Sequence, residues 1–201
     1  ELLKALKATC KPVILILTAG RPLALTETEP LADAILYTWS LGDQAGRAMA
    51  DVVFGDVNPS ARLSTSFPRN VGQCPIYYNH KNTGRPHQDG AAYSRFNSNY
   101  LDCIHGPLYA FGHGLSYTTF EYSDVTLSNN EMTADGQVKA SVTVTNTGKR
   151  DGKEVVQLYV RDIYATSSRP VKELKGFEKI SLKAGESKTV SFEIGRKQLE
   201  Y

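Results

Sequence analysis

From Phe120 the hydrophobic period of this chain becomes two, and that alternation restricts its fold more than any other feature. Val138, Ala140, Val142 and Val144 are interleaved with Lys139, Ser141, Thr143 and Thr145. Val156, Leu158 and Val160 alternate with Gln157, Tyr159 and Arg161, and Val190, Phe192 and Ile194 with Ser191 and Glu193. Successive side chains of a strand point to opposite faces, so each segment presents one apolar and one polar surface; on a helix the same residues would be smeared around the axis. Asp135-Gly136, Asn146 through Gly152, and Ala184-Gly185 separate the runs with turn chemistry. Short alternating strands at this spacing predict an antiparallel β-sandwich of the immunoglobulin or fibronectin type III kind. About five strands are countable against the roughly seven that such a sandwich uses, so it is expected to be cut at its C-terminus.

The opening of the chain follows another rhythm. Leu2, Leu3 and Leu6 recur at helical spacing until Pro12 ends the helix. Val13 to Leu17 is a short all-apolar run, the pattern of a parallel strand covered on both faces. A second strand is expected at Ala34-Ile35-Leu36-Tyr37. After Gly42-Asp43 comes a helix with Ala45, Ala48, Met49, Val52 and Val53 on one face, stopped by Gly55. Strand, loop, strand, loop, helix is the order of an open α/β sheet. Two strands are too few to bury both of its faces.

Between these halves, residues 58–117 carry weak periodicity and many breakers, among them Pro59, Pro68, Pro75, Gly84, Gly90, Pro107 and Gly112. Tyr77, Tyr78, Tyr93, Tyr100, Tyr109 and Tyr117 are dense there. So long a stretch without regular structure is uncommon inside a compact domain, and its aromatic content argues against disorder. It reads as an extended connector that packs by its aromatic rings.

The charge balance removes whole classes of function. Twenty-three basic and 21 acidic residues leave a formal charge of +2, without the one-sided surplus of a nucleic-acid binder. The longest strongly apolar run, Val13 to Leu17, is far short of a membrane span, and no leader peptide is visible ahead of Glu1-Leu2-Leu3-Lys4. Cys10, Cys74 and Cys103 form no CxxC pair and are expected to be buried free thiols.

Chemical motifs are mostly excluded. Asp56-Val57-Asn58-Pro59-Ser60 begins like a calcium loop, but Ala61 and Phe67 stand where the turn glycine and the chelating glutamate belong. His80, His87, His105 and His113 lack a metal-ligand spacing, so no metal site is expected. No GxSxG elbow or phosphate loop is present, and Gly112-His113-Gly114 lacks the strand–helix setting of a dinucleotide site. No cofactor is implied. Glycoside hydrolysis needs facing carboxylates, and Glu27, Glu29, Asp33 and Asp43 near the strand ends read as solvated surface groups. In open α/β sheets ligands collect at the carboxyl ends of strands. That rule selects Trp39, the single tryptophan, and Arg21 as residues lining a site; packing for the ring and a structural ion pair for the guanidinium are the alternatives.

Leu17-Thr18-Ala19-Gly20-Arg21-Pro22-Leu23, Ala34 to Trp39, and Gly46 to Ser60 together resemble the second domain of glycoside hydrolase family 3, in its bacterial β-glucosidase branch. Ser66-Phe67-Pro68-Arg69, Asn82 to Pro86, and Leu108 to Phe120 continue the resemblance in order, and Arg169 to Phe177 is similar to the family's fibronectin III-like domain. The resemblance implies a parent enzyme with an N-terminal (β/α)8 barrel, an α/β sandwich and a fibronectin III-like domain. It implies retaining hydrolysis of terminal β-D-glucosyl residues. The family's nucleophile is an Asp of the barrel and its acid/base a Glu upstream in the α/β sandwich; no residue of this chain matches either.

The expected fold is therefore α/β followed by all-β: the end of an α/β sandwich with an open, mainly parallel sheet over 1–68, a connector over 69–117, and a truncated fibronectin III-like sandwich over 118–201. The expected role is that of a C-terminal portion of a β-glucosidase-like hydrolase, supplying active-site wall and scaffold, with no catalytic residue of its own. A non-catalytic carbohydrate-binding or spacer module is the alternative. A β-glucoside or oligosaccharide substrate and a missing barrel are the implied partners, with no nucleic acid. The resemblance places such enzymes in the periplasm or outside the cell.

Overall fold

A computed structural model of the chain describes residues 1–86 and 93–200; His87 and Gly90 lie outside them. The elements in chain order are α1 (Leu2–Ala8), β1 (Ile14–Leu17), β2 (Ala34–Tyr37), α2 (Ala45–Val53), β3 (Phe120–Tyr122), β4 (Thr126–Leu127), β5 (Val138–Asn146), β6 (Gly152–Val160), β7 (Glu173–Leu182), β8 (Ser187–Ile194) and α3 (Arg196–Leu199). They fall into two compact units. One holds residues 1–54 and 63–113, the other residues 55–62 and 114–201. An α/β unit followed by an all-β unit is the fold class that the two periodicities predict.

In the α/β unit, β1 and β2 pair in parallel from Ile14 opposite Ala34 to Leu17 opposite Tyr37. Asp33 sets the start of this pair. Its Oδ2 accepts from the Val13 amide at 2.8 Å and its Oδ1 from Lys7 Nζ at 2.8 Å. These two bonds, the lysine first, hold the exposed Asp33 carboxyl below its ordinary value. Residues 63–67 and 108–113 run against each other, with Phe67 N donating to Tyr109 O at 2.8 Å and Leu63 N to His113 O at 2.8 Å. Phe67, 1% exposed, meets Tyr37, Trp39 and Tyr109 edge-on, so this stretch does pack by aromatic rings. Gln73, also 1% exposed, ties the turn after it: Oε1 accepts from Arg69 N at 2.6 Å and Nε2 donates to Gly106 O at 3.1 Å.

Two expectations need correction here. The apolar run of β1 is not covered on both faces: Ile14 is 52% and Ile16 40% exposed, because among the described residues β2 is the one strand beside it. The cysteines are free but not buried. Cys10 sits exposed in the turn that closes α1, Cys74 is exposed, and Cys103 is half-buried.

In the second unit β5 pairs antiparallel with β3, β4 and β8, while β6 and β7 form a separate antiparallel pair. The alternation works as expected. Val144, Val156, Ile180, Leu182 and Val190 meet in the core, with Phe120, Val142 and Phe192 packed against them. On the opposite face of β5 and β8, hydroxyls pair across the strands: Ser141 with Ser191 at 2.8 Å and Thr143 with Thr189 at 2.9 Å. Among the described residues this unit has six strands rather than five, because β3 and β4 are too short to show an alternating pattern.

Segment 55–62 belongs to this unit through its side chains. Asn58 Oδ1 accepts from Ser116 Oγ and Tyr117 N, each at 2.8 Å, and its Nδ2 donates to Asp151 O at 2.9 Å. Arg62 donates to the buried Glu154 carboxylate, which also accepts from Tyr122 Oη at 2.9 Å. Burial, then the neighbouring carboxylate, raises the Tyr122 phenol above its ordinary value. Gly114 must be glycine here, because a Cβ would lie 2.5 Å from the Ala61 carbonyl oxygen.

Candidate functional site

The carboxyl ends of β1 and β2 are held level by polar bonds. Thr38 N donates to Leu17 O at 2.8 Å and Thr38 Oγ1 to the same oxygen at 3.1 Å. Thr38 thereby spends its proton, so Thr18 is the donor in the 2.9 Å hydroxyl pair that joins the two strand ends. Beyond these threonines lie the two residues that sequence reasoning selected.

Trp39 is half-buried and adopts φ 56°, the left-handed region that a bulky residue rarely enters. That conformation turns its ring onto Tyr37, at 5.0 Å between centroids and 69° between planes, and towards Phe67 at 6.0 Å. Arg21 is exposed, and its carbonyl accepts the Tyr37 hydroxyl. Tyr37 thus connects the two: its ring braces Trp39 and its hydroxyl fixes the Arg21 backbone. Burial raises the Tyr37 phenol, with the nearby Arg21 charge opposing, so the group stays a neutral donor. Among the described residues the Arg21 guanidinium makes no ion pair, which leaves its charge for solvent or a ligand.

Sequence reasoning missed Tyr37, Phe67 and Tyr109 as supports of this surface. Tyr37 was legible as a strand end, and Phe67 carried a signal in Ser66-Phe67-Pro68, but nothing in sequence spacing brings positions 67 and 109 to position 37. The acidic residues near the strands are not gathered into a site. Asp33 is used in holding β1, while Glu27, Glu29 and Asp43 are exposed. Among the described residues no three His, Cys, Asp or Glu side chains cluster as a metal site would require, and no helix is long and apolar enough to cross a membrane. The surface therefore offers an aromatic edge, a guanidinium and paired hydroxyls. Stacking and hydrogen bonding are the chemistry such groups have; they are not an acid and a base.

Residues 1–117 match the glycosyl hydrolase family 3 C-terminal domain and residues 154–201 a fibronectin type III-like domain. The chain belongs to glycosyl hydrolase family 3. It is 58% identical over 201 residues to a periplasmic beta-glucosidase of Salmonella typhimurium, covering 100% of this chain and 26% of that protein. It is 48% identical over 199 residues to a beta-xylosidase of Formosa agariphila, covering 99% of this chain and 26% of that protein. The crystal structure of a beta-glucosidase from Listeria innocua in complex with isofagomine superposes with a TM-score of 0.92 at 44% identity, over 98% of this chain and 27% of the other. The chain thus spans about a quarter of the length of these relatives.

Proposed function

We propose that this chain is the C-terminal portion of a retaining β-glucosidase-like hydrolase, acting on terminal β-D-glucosyl residues by double displacement through a glycosyl-enzyme intermediate. The observation that carries the reading is similarity over the whole chain, at 58% identity, to a protein named a periplasmic beta-glucosidase. In this reading both catalytic carboxylates lie outside these 201 residues, on a barrel and on the remainder of the α/β domain. That remainder also covers the open faces of β1 and β2. The same relative's name supports a periplasmic setting.

Trp39 and Arg21 line the substrate in this proposal. The left-handed backbone at Trp39 supports it, because strained residues of this kind cluster at functional sites. In the full-length protein Trp39→Ala is expected to lower kcat/KM on an aryl β-glucoside about tenfold, mainly through KM, with Trp39→Phe restoring most of it. An unchanged KM in a folded Trp39→Ala variant would reduce the ring to packing. Residues 1–201 alone are expected to release no sugar from the same substrate. Release above a blank would overturn the placement of the carboxylates. A second reading, β-xyloside hydrolysis, is favoured by the Formosa relative; comparing aryl β-glucoside with aryl β-xyloside turnover separates the two.

A further inference from the structure

A cavity of about 400 Å³ opens at the end of the sandwich, where β6 runs out at Val160, the following loop passes Tyr164, and α3 turns back with Gln198. Its volume falls in the range of small-ligand sites, roughly 300–1,000 Å³. Among the described residues the charges around it do not cancel. Asp162 pairs with Arg169 at 3.6 Å and Glu173 with Lys175 at 3.3 Å, so each carboxylate is already committed to a cation. Arg161, exposed at the rim, has no ion-pair partner among the described residues, leaving one positive charge in surplus. Gln198 Oε1 accepts from Gly195 N at 3.0 Å, which fixes the amide and leaves its N–H donors for a guest. The third feature is apolar. Tyr164 is 94% exposed, so one ring face is open to a flat partner.

We propose that this cavity binds a carboxylate-bearing sugar, a uronic acid within a saccharide chain. Arg161 takes the carboxylate, Gln198 a ring hydroxyl, and Tyr164 the C–H face of the sugar ring. A neutral sugar leaves the Arg161 charge unanswered, and an inorganic anion makes no use of Tyr164. The choice of a sugar rests on the glycosidase reading; the choice of a carboxylate rests on the surplus charge alone.

The test is calorimetric titration of the full-length protein with a glucuronic acid-bearing xylo-oligosaccharide, its neutral counterpart, inorganic phosphate and a glutamate-rich peptide. The acidic saccharide is expected to bind, and to bind about tenfold more weakly after Arg161→Gln or after Tyr164→Ala, with the neutral saccharide weaker by a similar factor. Equal affinity for acidic and neutral saccharides, binding unchanged in both variants, or phosphate or the peptide matching the acidic saccharide would each overturn it. Aryl β-glucoside hydrolysis is read on the same samples and is expected to be unchanged by either substitution. A wild-type protein without that activity that still binds the uronic acid sinks the glycosidase reading and keeps the cavity; an active protein that ignores the uronic acid does the reverse.

Discussion

In the sandwich, Val144, Val156, Ile180, Leu182 and Val190 are each 2% exposed or less, whereas in the α/β unit helices α1 and α2 bury no residue and Ile14 and Ile16 of β1 stand 52% and 40% exposed. The polar groups differ in the same direction. Asn146, 0% exposed, accepts from Thr118 Oγ1 and Gly148 N and donates to the Arg150 and Leu182 carbonyls. The α/β unit is held instead by edge-on rings around Phe67 and by the amide of Gln73. One unit closes a core from its own two sheets. The other relies on an aromatic wedge and leaves apolar sheet surface open, which suits an element that docks against further structure.

The comparison can be broken with unit-specific probes, because Trp39, the single tryptophan, sits in the α/β unit and its fluorescence reports on that unit. The largest effect is expected from Glu154→Gln, which leaves the half-buried Arg62 charge without its counter-ion and should cost the sandwich about 3 kcal/mol. Strand circular dichroism in urea would show the loss while the Trp39 transition stays in place; a shift of both together would mean that the units do not melt separately. Asn146→Ala should cost about 2 kcal/mol by the same probe, since it orphans buried donors and acceptors on several segments. An alkaline titration sharpens the picture. Tyr122 has its folded pKa raised above the ordinary 10.0, so its stabilisation is complete below pH 10 and is lost as pH rises towards the folded value. Tyr122→Phe is expected to flatten that part of the sandwich's stability profile, and an identical alkaline slope in the variant would remove the phenol as its cause. The smallest effect belongs to Ile16→Thr in the open sheet, expected within about 0.5 kcal/mol by Trp39 fluorescence. A cost of several times that would show β1 to be covered.

Much of this architecture was legible in the residues. The alternation at Val138 to Thr145 located β5, because it reports directly which face is buried, and the spacing of Ala45, Met49 and Val52 located α2, although that helix fully buries no residue. The sandwich's polar fastenings were not legible. Glu154 reads as an ordinary charged residue beside a strand, and its partner Arg62 stands 92 positions away. The candidate site divides in the same way. A general rule about strand ends pointed to Trp39 and Arg21, yet the brace between them is Tyr37, whose hydroxyl reaches the Arg21 carbonyl only once the parallel pair has formed. Gly114 is a further instance: its neighbours suggest a motif, and only the folded chain shows the Ala61 oxygen that forbids a methyl group.

Because Asn58 and Arg62 are fastened into the sandwich from a stretch that interrupts the α/β unit, neither unit can be cut out as one uninterrupted piece of sequence. Anyone exchanging modules between relatives would have to graft the octapeptide 55–62 along with the distal strands. A chimera joined at a single crossover between positions 62 and 114 would pair an octapeptide from one parent with a sandwich from the other.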